Sequence, residues 1–221
     1  MINIIAWVSL IAVAVPTAAM VILMAVFDGL SQTVAKLDSA IDGDIEIVAR
    51  RGSTFRSDEV DITEIANIED VEAIAPYIEQ SIMASSAGRR VTVVVRGVAR
   101  DYFDVVALEG LVEAGRLESI FAGDVLLGTA LCGQLGAYGI GTEIELYALN
   151  RKQISTLLPI GGISRLTTHL GGAINGNNEI SSTLAIAEIE RVQRLLNYTG
   201  RVSALAIRIG EGKDAKRVAQ S

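Results

Sequence analysis

The hydrophobic pattern after residue 43 predicts strands and short helices. Residues 44–49 alternate apolar and polar side chains, which is typical of a half-buried strand. Asp61 to Ile68 combines the Asp-x-x-Glu spacing of a helix cap with isoleucines at helical intervals, and so predicts a short helix. Two β-branched segments, residues 71–83 and 91–98, are separated by turn residues. We expect them to pair as a hairpin.

The same order recurs near the other end of the chain. Residues 183–187 predict a strand, residues 202–209 predict another, and a helical stripe lies between them at Ile189, Val192, Leu195 and Leu196. Two strand–helix–strand units, 44–98 and 181–221, would then flank the stretch 99–180. We expect an α+β fold in which the two ends pack together and residues 99–180 form an inserted β-rich subdomain.

The second half of this middle stretch is rich in glycine and asparagine. Before it, the pattern predicts a strand at 125–127, a helix at 129–135 and a strand at 143–149. Residues 150–180 favour a mobile loop or a long hairpin over packed structure. We interpret this region as a candidate partner loop, with a disordered connection as the alternative. The glycines that mark it are Gly161, Gly162, Gly171 and Gly172.

The opening segment predicts a transmembrane helix. From Ile4 to Phe27 the chain has 24 residues without a charge, which as a helix would extend ~36 Å and cross the hydrocarbon core of a bilayer. Trp7 lies within this segment, and Pro16 beside Thr17 predicts a bend because proline lacks the backbone N–H. A signal peptide and a buried core helix are the alternatives. The length argues against a core helix, and the lack of a preceding Lys or Arg argues against a signal peptide.

Apolar residues continue at helical spacing beyond the predicted membrane segment. They predict an amphipathic stalk, so that residues 1–43 form the membrane helix with its stalk and residues 44–221 form a domain outside the cytoplasm. Few basic residues flank the apolar segment, so the positive-inside rule hardly indicates which end of the membrane helix faces the cytoplasm. The uncharged start leads us to expect a basic segment upstream. The stalk residues are Leu30, Val34, Leu37 and Ile41.

Composition and charge exclude several classes of partner and site. The chain has 19 Lys and Arg against 26 Asp and Glu, a net charge of −7. This balance argues against binding to nucleic acid, which requires clustered basic residues, and against docking on an anionic lipid surface. The single cysteine, Cys132, excludes an internal disulfide, and the single histidine, His169, excludes paired-histidine metal motifs.

No motif for catalysis or cofactor binding is complete. The sequence has no GxxxxGK[ST], and the Gly139–Gly141 pair lacks the third glycine of a dinucleotide fingerprint. No serine of the chain lies in a GxSxG nucleophile elbow, so His169 has no candidate nucleophile to activate as a catalytic base. The acids at 42–46 do not match a calcium loop, and Cys132 fits a small buried apolar residue. We therefore predict no catalytic, cofactor or metal residues, and no enzyme.

The order of several short motifs resembles the FtsX-like permease family with a MacB-like extracytoplasmic core. Within that family it is similar to the lipoprotein-releasing permeases of the LolC/LolE type. Three departures are Asp28, where the family usually has asparagine, Leu30, where it often has an aromatic residue, and Thr142, where it usually has an acid. The motifs are Asn3–Ile5, Phe27–Gly29, Val71–Tyr77, Arg96–Val98, Gly123–Gly128, Gly141–Leu146 and Val202–Ile209.

The resemblance implies a mechanical role in the bacterial inner membrane, with the main domain in the periplasm. Such permeases pair with a cytoplasmic ATPase and a second permease subunit, and pass its motion to outer domains that move a lipoprotein towards a carrier. They also have a cytoplasmic start and three further membrane helices, so we expect this chain to be a fragment. The alternatives are an FtsX-like membrane-tethered regulator of cell-wall hydrolases and a macrolide-exporter-type permease.

Overall fold

The computed structural model describes residues 7, 10, 12–27, 43–50, 52–149, 162–210 and 215–218. The chain divides into two compact units, Met1–Asp38 and Ser39–Ser221. The predicted stalk residues, together with Ile4 and Gly161 of the predicted sites, lie outside the described residues.

The first unit contains helix α1, residues 12–27. Its side chains are exposed, including those of Pro16, Thr17 and Phe27, and Trp7 is also helical and exposed. The hydroxyl of Thr17 donates to the carbonyl oxygen of Val13 at 2.8 Å, so this side chain bonds back onto its own helix. No helix within the described ranges is both long and apolar enough to cross a membrane.

The second unit is a mixed α and β fold, as the pattern predicted. Its helices are α2 (Ile62–Ala66), α3 (Tyr102–Val105), α4 (Thr129–Leu135), α5 (Asn178–Thr183), α6 (Ile189–Leu196) and α7 (Ala215–Val218). Its strands are β1 (Ile45–Val48), β2 (Phe55–Arg56), β3 (Val71–Ser86), β4 (Arg89–Val98), β5 (Val112–Gly115), β6 (Val125–Gly128), β7 (Glu143–Leu149), β8 (Ile163–Ile174), β9 (Leu184–Glu188), β10 (Arg201–Val202) and β11 (Ala204–Ile209).

Nine of these strands form one sheet in the order β1-β11-β3-β4-β9-β6-β8-β5, and β7 pairs with both β3 and β8. The pairings therefore close a circuit through β3, β4, β9, β6, β8 and β7. The pairs β4–β9 and β6–β8 are parallel, and the other pairs of this sheet are antiparallel. Strands β2 and β10 form a separate pair.

The elements predicted at the two ends are confirmed, except that the predicted strand 202–209 is divided at Ser203 into β10 and β11, which belong to different sheets. Strands β3 and β4 form the expected hairpin, and the side chain of Asp61 caps α2 by accepting from the backbone N–H groups of Thr63 and Glu64. Strand β11 lies between β1 and β3, so the two strand–helix–strand units are neighbours in the sheet. The boundaries 99 and 180 of the inserted subdomain stay a prediction, but strands of that stretch belong to the same sheet.

For residues 150–180 the sequence favours either a mobile loop or a long hairpin, and the structure shows the hairpin. Strands β7 and β8 pair antiparallel from Glu143 opposite His169 to Leu149 opposite Ile163. The prediction that this region is a loop is wrong for β8 and for α5. Glycines are typical of turns, but Gly171 and Gly172 lie in a strand where neighbouring atoms leave no room for a side chain.

Two large buried clusters hold the second unit together. One contains the apolar faces of α4 and α6, with Leu131, Leu135 and Val192 packed against β3, β4 and β7. The other packs the region of α3 against β3, β9 and β11, with Tyr102 fully buried. Burial of these apolar side chains is the main favourable contribution to the stability of the unit.

We expect Gly133→Ala to stabilise the second unit. Gly133 lies within α4, and a Cβ atom added there would have no neighbouring atom within 4 Å. Because alanine loses less backbone entropy than glycine on forming a helix, the free energy of unfolding should rise by ~0.5–1 kcal/mol. Chemical denaturation followed by circular dichroism measures this change, and an unchanged or lower midpoint would contradict it.

Candidate functional site

The structure describes three of the four predicted partner-loop glycines, and it places them directly before β8 and inside it. Gly162 is buried directly before the strand, and Gly171 and Gly172 lie within the strand where β8 pairs with β5 and β6. The loop assignment of Gly171 and Gly172 is therefore a wrong prediction. Whether this region contacts a partner stays a prediction.

Close packing explains the glycine at position 172. A Cβ atom added there would come within 2.7 Å of Leu126 Cδ2 and 2.8 Å of the carbonyl oxygen of Ala114. Both distances are shorter than van der Waals contact, and the second involves the backbone of the neighbouring strand. The absence of a side chain at Gly172 thus allows β5 and β6 to pack beside β8.

The residues considered for chemistry are separated in the fold. Cys132 is buried in α4, and burial raises the pKa of its thiol, so the thiol stays protonated at neutral pH. His169 is exposed on β8, opposite Glu143. Within the described residues, no three His, Cys, Asp or Glu side chains gather where they could hold a metal ion.

A polar cluster, which we call the anchor cluster, lies between β1, β3, β4 and α3. It consists of Glu46, Tyr77, Glu79, Arg96 and Tyr102. The guanidinium of Arg96, on β4, donates from Nε to Glu79 Oε2 at 2.7 Å and from Nη1 to the hydroxyl of Tyr102 at 2.9 Å. Its Nη2 also lies 2.6 Å from Glu79 Oε2. The arginine is thus buried, at 7% exposure, with its charge compensated.

Tyr77 connects this arginine to the edge strand β1. The Arg96 guanidinium lies 4.6 Å from the centre of the Tyr77 ring, and the Tyr77 hydroxyl donates to Glu46 Oε1 at 2.7 Å. The rings of Tyr77 and Tyr102 meet edge to face with their centres 5.8 Å apart. Burial holds the pKa of the Tyr77 hydroxyl well above its usual range, so it remains a hydrogen-bond donor.

The segment before β1 is bound to β11 as well. The carboxylate of Asp44 accepts from the backbone N–H of Ile209 at 2.9 Å. A Cβ atom on Gly43 would lie 2.7 Å from the carbonyl oxygen of Ile207, so only glycine allows this close approach. Residues 43–48 are therefore fixed to the sheet by backbone pairing, by Asp44 and by the anchor cluster.

This arrangement is suited to bearing load, because each group of the anchor cluster is held by a neighbour on another element. From the sequence, Arg96 is only part of the Arg96–Val98 motif, and its contacts with Glu79 and Tyr102 are not predicted. A signal was present: Arg96 interrupts the β-branched run Val91–Val98, and a charge in a buried strand requires a partner. The identity of that partner could not be deduced, because Glu79 and Tyr102 come from other elements.

Comparison with known proteins identifies a family and a shared fold. The sequence model of the MacB-like periplasmic core domain matches residues 6–221. The extracellular domain of the noncanonic ABC-type transporter YknZ from Gram-positive bacteria has a TM-score of 0.53 and 12% identity, covering 77% of this chain and 79% of that chain. The periplasmic region of MacB from Actinobacillus actinomycetemcomitans has a TM-score of 0.51 and 14% identity, covering 77% and 72%. No curated protein matches the sequence significantly.

Proposed function

Because the chain belongs to the family of the MacB-like periplasmic core domain, we propose that it is the first membrane helix and extracytoplasmic domain of an ABC transporter permease. In this proposal a cytoplasmic ATPase supplies the energy, and the chain transmits motion without catalysing a reaction. The observation that carries the proposal is the family match over residues 6–221. The anchor cluster supports it, because it fixes the start of the second unit firmly to the sheet.

The proposal places the main domain in the periplasm and residues 4–27 in the inner membrane. The absence of any charged residue over these 24 positions supports a membrane span. The full chain, expressed in bacteria, should stay with the membrane pellet after alkaline carbonate extraction. Protease added to spheroplasts should digest the second unit while a cytoplasmic marker protein stays intact. Release of the uncleaved chain by carbonate would contradict the membrane span.

The proposed partners are a cytoplasmic ATPase subunit and a second permease subunit. Purification of the tagged gene product in mild detergent should recover an ATPase of the ABC class. An equally expressed, tagged, single-span membrane protein serves as the control. If no such ATPase were recovered, or if the control protein recovered the same amount of it, the transporter proposal would be contradicted.

For the substrate we propose a lipoprotein that passes to a periplasmic carrier, supported by the order of motifs similar to lipoprotein-releasing permeases. Site-specific photo-crosslinkers in the second unit should capture a lipoprotein or its carrier in living cells. Capture of a cell-wall hydrolase would instead favour a regulatory role. Capture of an outer-membrane channel component would favour an exporter.

A further inference from the structure

A groove lined by arginines lies between strand β8 and helix α6. It has a volume of about 290 Å³ and is lined by Ser164, Arg165, Leu166, Arg191, Arg194 and Leu195. Three of its six lining residues are arginines, although the whole chain has a net charge of −7. We call this feature the arginine groove.

The arginines differ in how strongly they are held. The guanidinium of Arg165 donates to Glu145, and that of Arg191 donates to the carbonyl oxygen of Gly123. Arg194 is exposed on the same face of α6, one turn after Arg191. Since a guanidinium has five N–H groups, Arg165 and Arg191 keep donors for a ligand in addition to these bonds. None of the six lining residues is acidic, so the lining itself carries three positive charges. The nearby carboxylates are Glu145, which accepts from Arg165, and Glu190, one turn before Arg194 on α6.

The strand that forms one wall has an open edge. Strand β8 pairs with β7 from Ile163 to His169, but it pairs with β6 and β5 only from Leu170 onward. Among the strands in the described ranges, none pairs with the other edge of β8 over residues 163–169. Backbone groups of this edge are oriented to bond an additional strand, and the arginines of α6 stand on the opposite wall.

We propose that the arginine groove binds an extended acidic segment of a partner protein. The segment adds to the β8 edge at residues 164–168 through main-chain hydrogen bonds, and its carboxylates pair with Arg191 and Arg194. Because successive side chains of an extended segment point to opposite faces, only alternate residues of the segment face the arginines, and Leu166 and Leu195 contact the aliphatic carbons of these acidic side chains. The open edge selects an extended backbone, and the arginines select its charge. This inference goes beyond the transport role and does not depend on it.

The test uses the purified full chain and a fluorescent six-residue peptide of alternating glutamate and valine. Fluorescence anisotropy should show saturable binding that weakens with added salt. Arg194→Gln should weaken binding about tenfold, because one charge-assisted contact is lost. Arg50→Gln, which changes an exposed arginine on the segment after β1, is the matched control and should leave binding unchanged. Equal affinity of the Arg194 and Arg50 variants would overturn the proposal.

Three further arms test the chemistry of the occupant. A lysine–valine peptide, and a glutamate–valine peptide with alternate amides methylated, should bind at least tenfold more weakly. Hydrogen exchange of the amides of residues 164–168 should slow when the acidic peptide is added. If the methylated peptide bound as tightly as the unmethylated one, or if hydrogen exchange at residues 164–168 did not slow, the peptide would not add to β8 as a strand. Displacement by equimolar inorganic phosphate or dihexanoyl phosphatidylglycerol would overturn the preference for an acidic peptide.

Discussion

Replacing Arg96 by methionine is expected to lower the free energy of unfolding of the second unit by ~3 kcal/mol. The substitution leaves Glu79 without its cation and removes the donor to the hydroxyl of Tyr102. Breaking a buried ion pair by removing one partner costs ~3–5 kcal/mol. We take the lower end, because the side chain of Glu79 is 33% exposed and water can solvate its carboxylate. Urea denaturation of the full chain, followed by circular dichroism, measures the change.

Two variants separate the electrostatic loss from the packing loss. Arg96→Lys keeps the positive charge but not the planar fork that contacts Glu79 and Tyr102, so an intermediate loss of about 1–2 kcal/mol is expected. The double variant Arg96→Met with Glu79→Leu removes both charges and should recover part of the stability lost by Arg96→Met alone. If Arg96→Met is as stable as the unmodified chain, the anchor cluster does not stabilise the domain.

Replacing Gly172 by alanine should destabilise the second unit by ~2–3 kcal/mol. The added methyl group would collide with Leu126 and with the backbone carbonyl of Ala114, and overpacking of this kind costs ~1–3 kcal/mol. The carbonyl belongs to a paired strand, so the collision cannot be relieved by rotating a side chain. Thermal or urea unfolding measures the loss.

Gly139→Ala is the matched control for this experiment. An added Cβ at Gly139 would have its nearest neighbour, the hydroxyl oxygen of Thr142, at 3.8 Å, which is ordinary contact. This variant should unfold within about 0.5 kcal/mol of the unmodified chain. If both glycine variants were equally stable, close packing would not explain the glycine in β8.

The packing of Gly172 also changes how the partner-loop prediction must be tested. Deleting residues 161–172 would remove most of β8, so a loss of partner binding would follow from loss of the sheet. Substitutions of exposed β8 side chains are more selective. Thr167 and His169 point away from the core and can be changed without altering the strand pairs.

Elements with a clear local signal were predicted closely. Helix α4 and strand β7 begin and end at the residues expected, and α6 spans the predicted stripe from Ile189 to Leu196. In each of the three elements the apolar spacing matches one period, and each of the two helices ends at a left-handed residue, Gly136 for α4 and Asn197 for α6. A long hairpin was one of the two alternatives for residues 150–180, but the bounds of β8 were not predicted, because its glycines carry a turn signal and their packing neighbours are distant in sequence.

The sequence by itself determined the alternation of strands and helices, the hairpin of β3 and β4, and an uncharged apolar segment at the start of the chain. These follow from local periodicity, which depends only on residues a few positions apart. The tertiary structure alone decided that Arg96 meets Glu79 and Tyr102, that Gly172 lies against Ala114, and that α6 and β8 line one groove. Those contacts join residues from separate elements, and no local period encodes which elements become neighbours in a sheet.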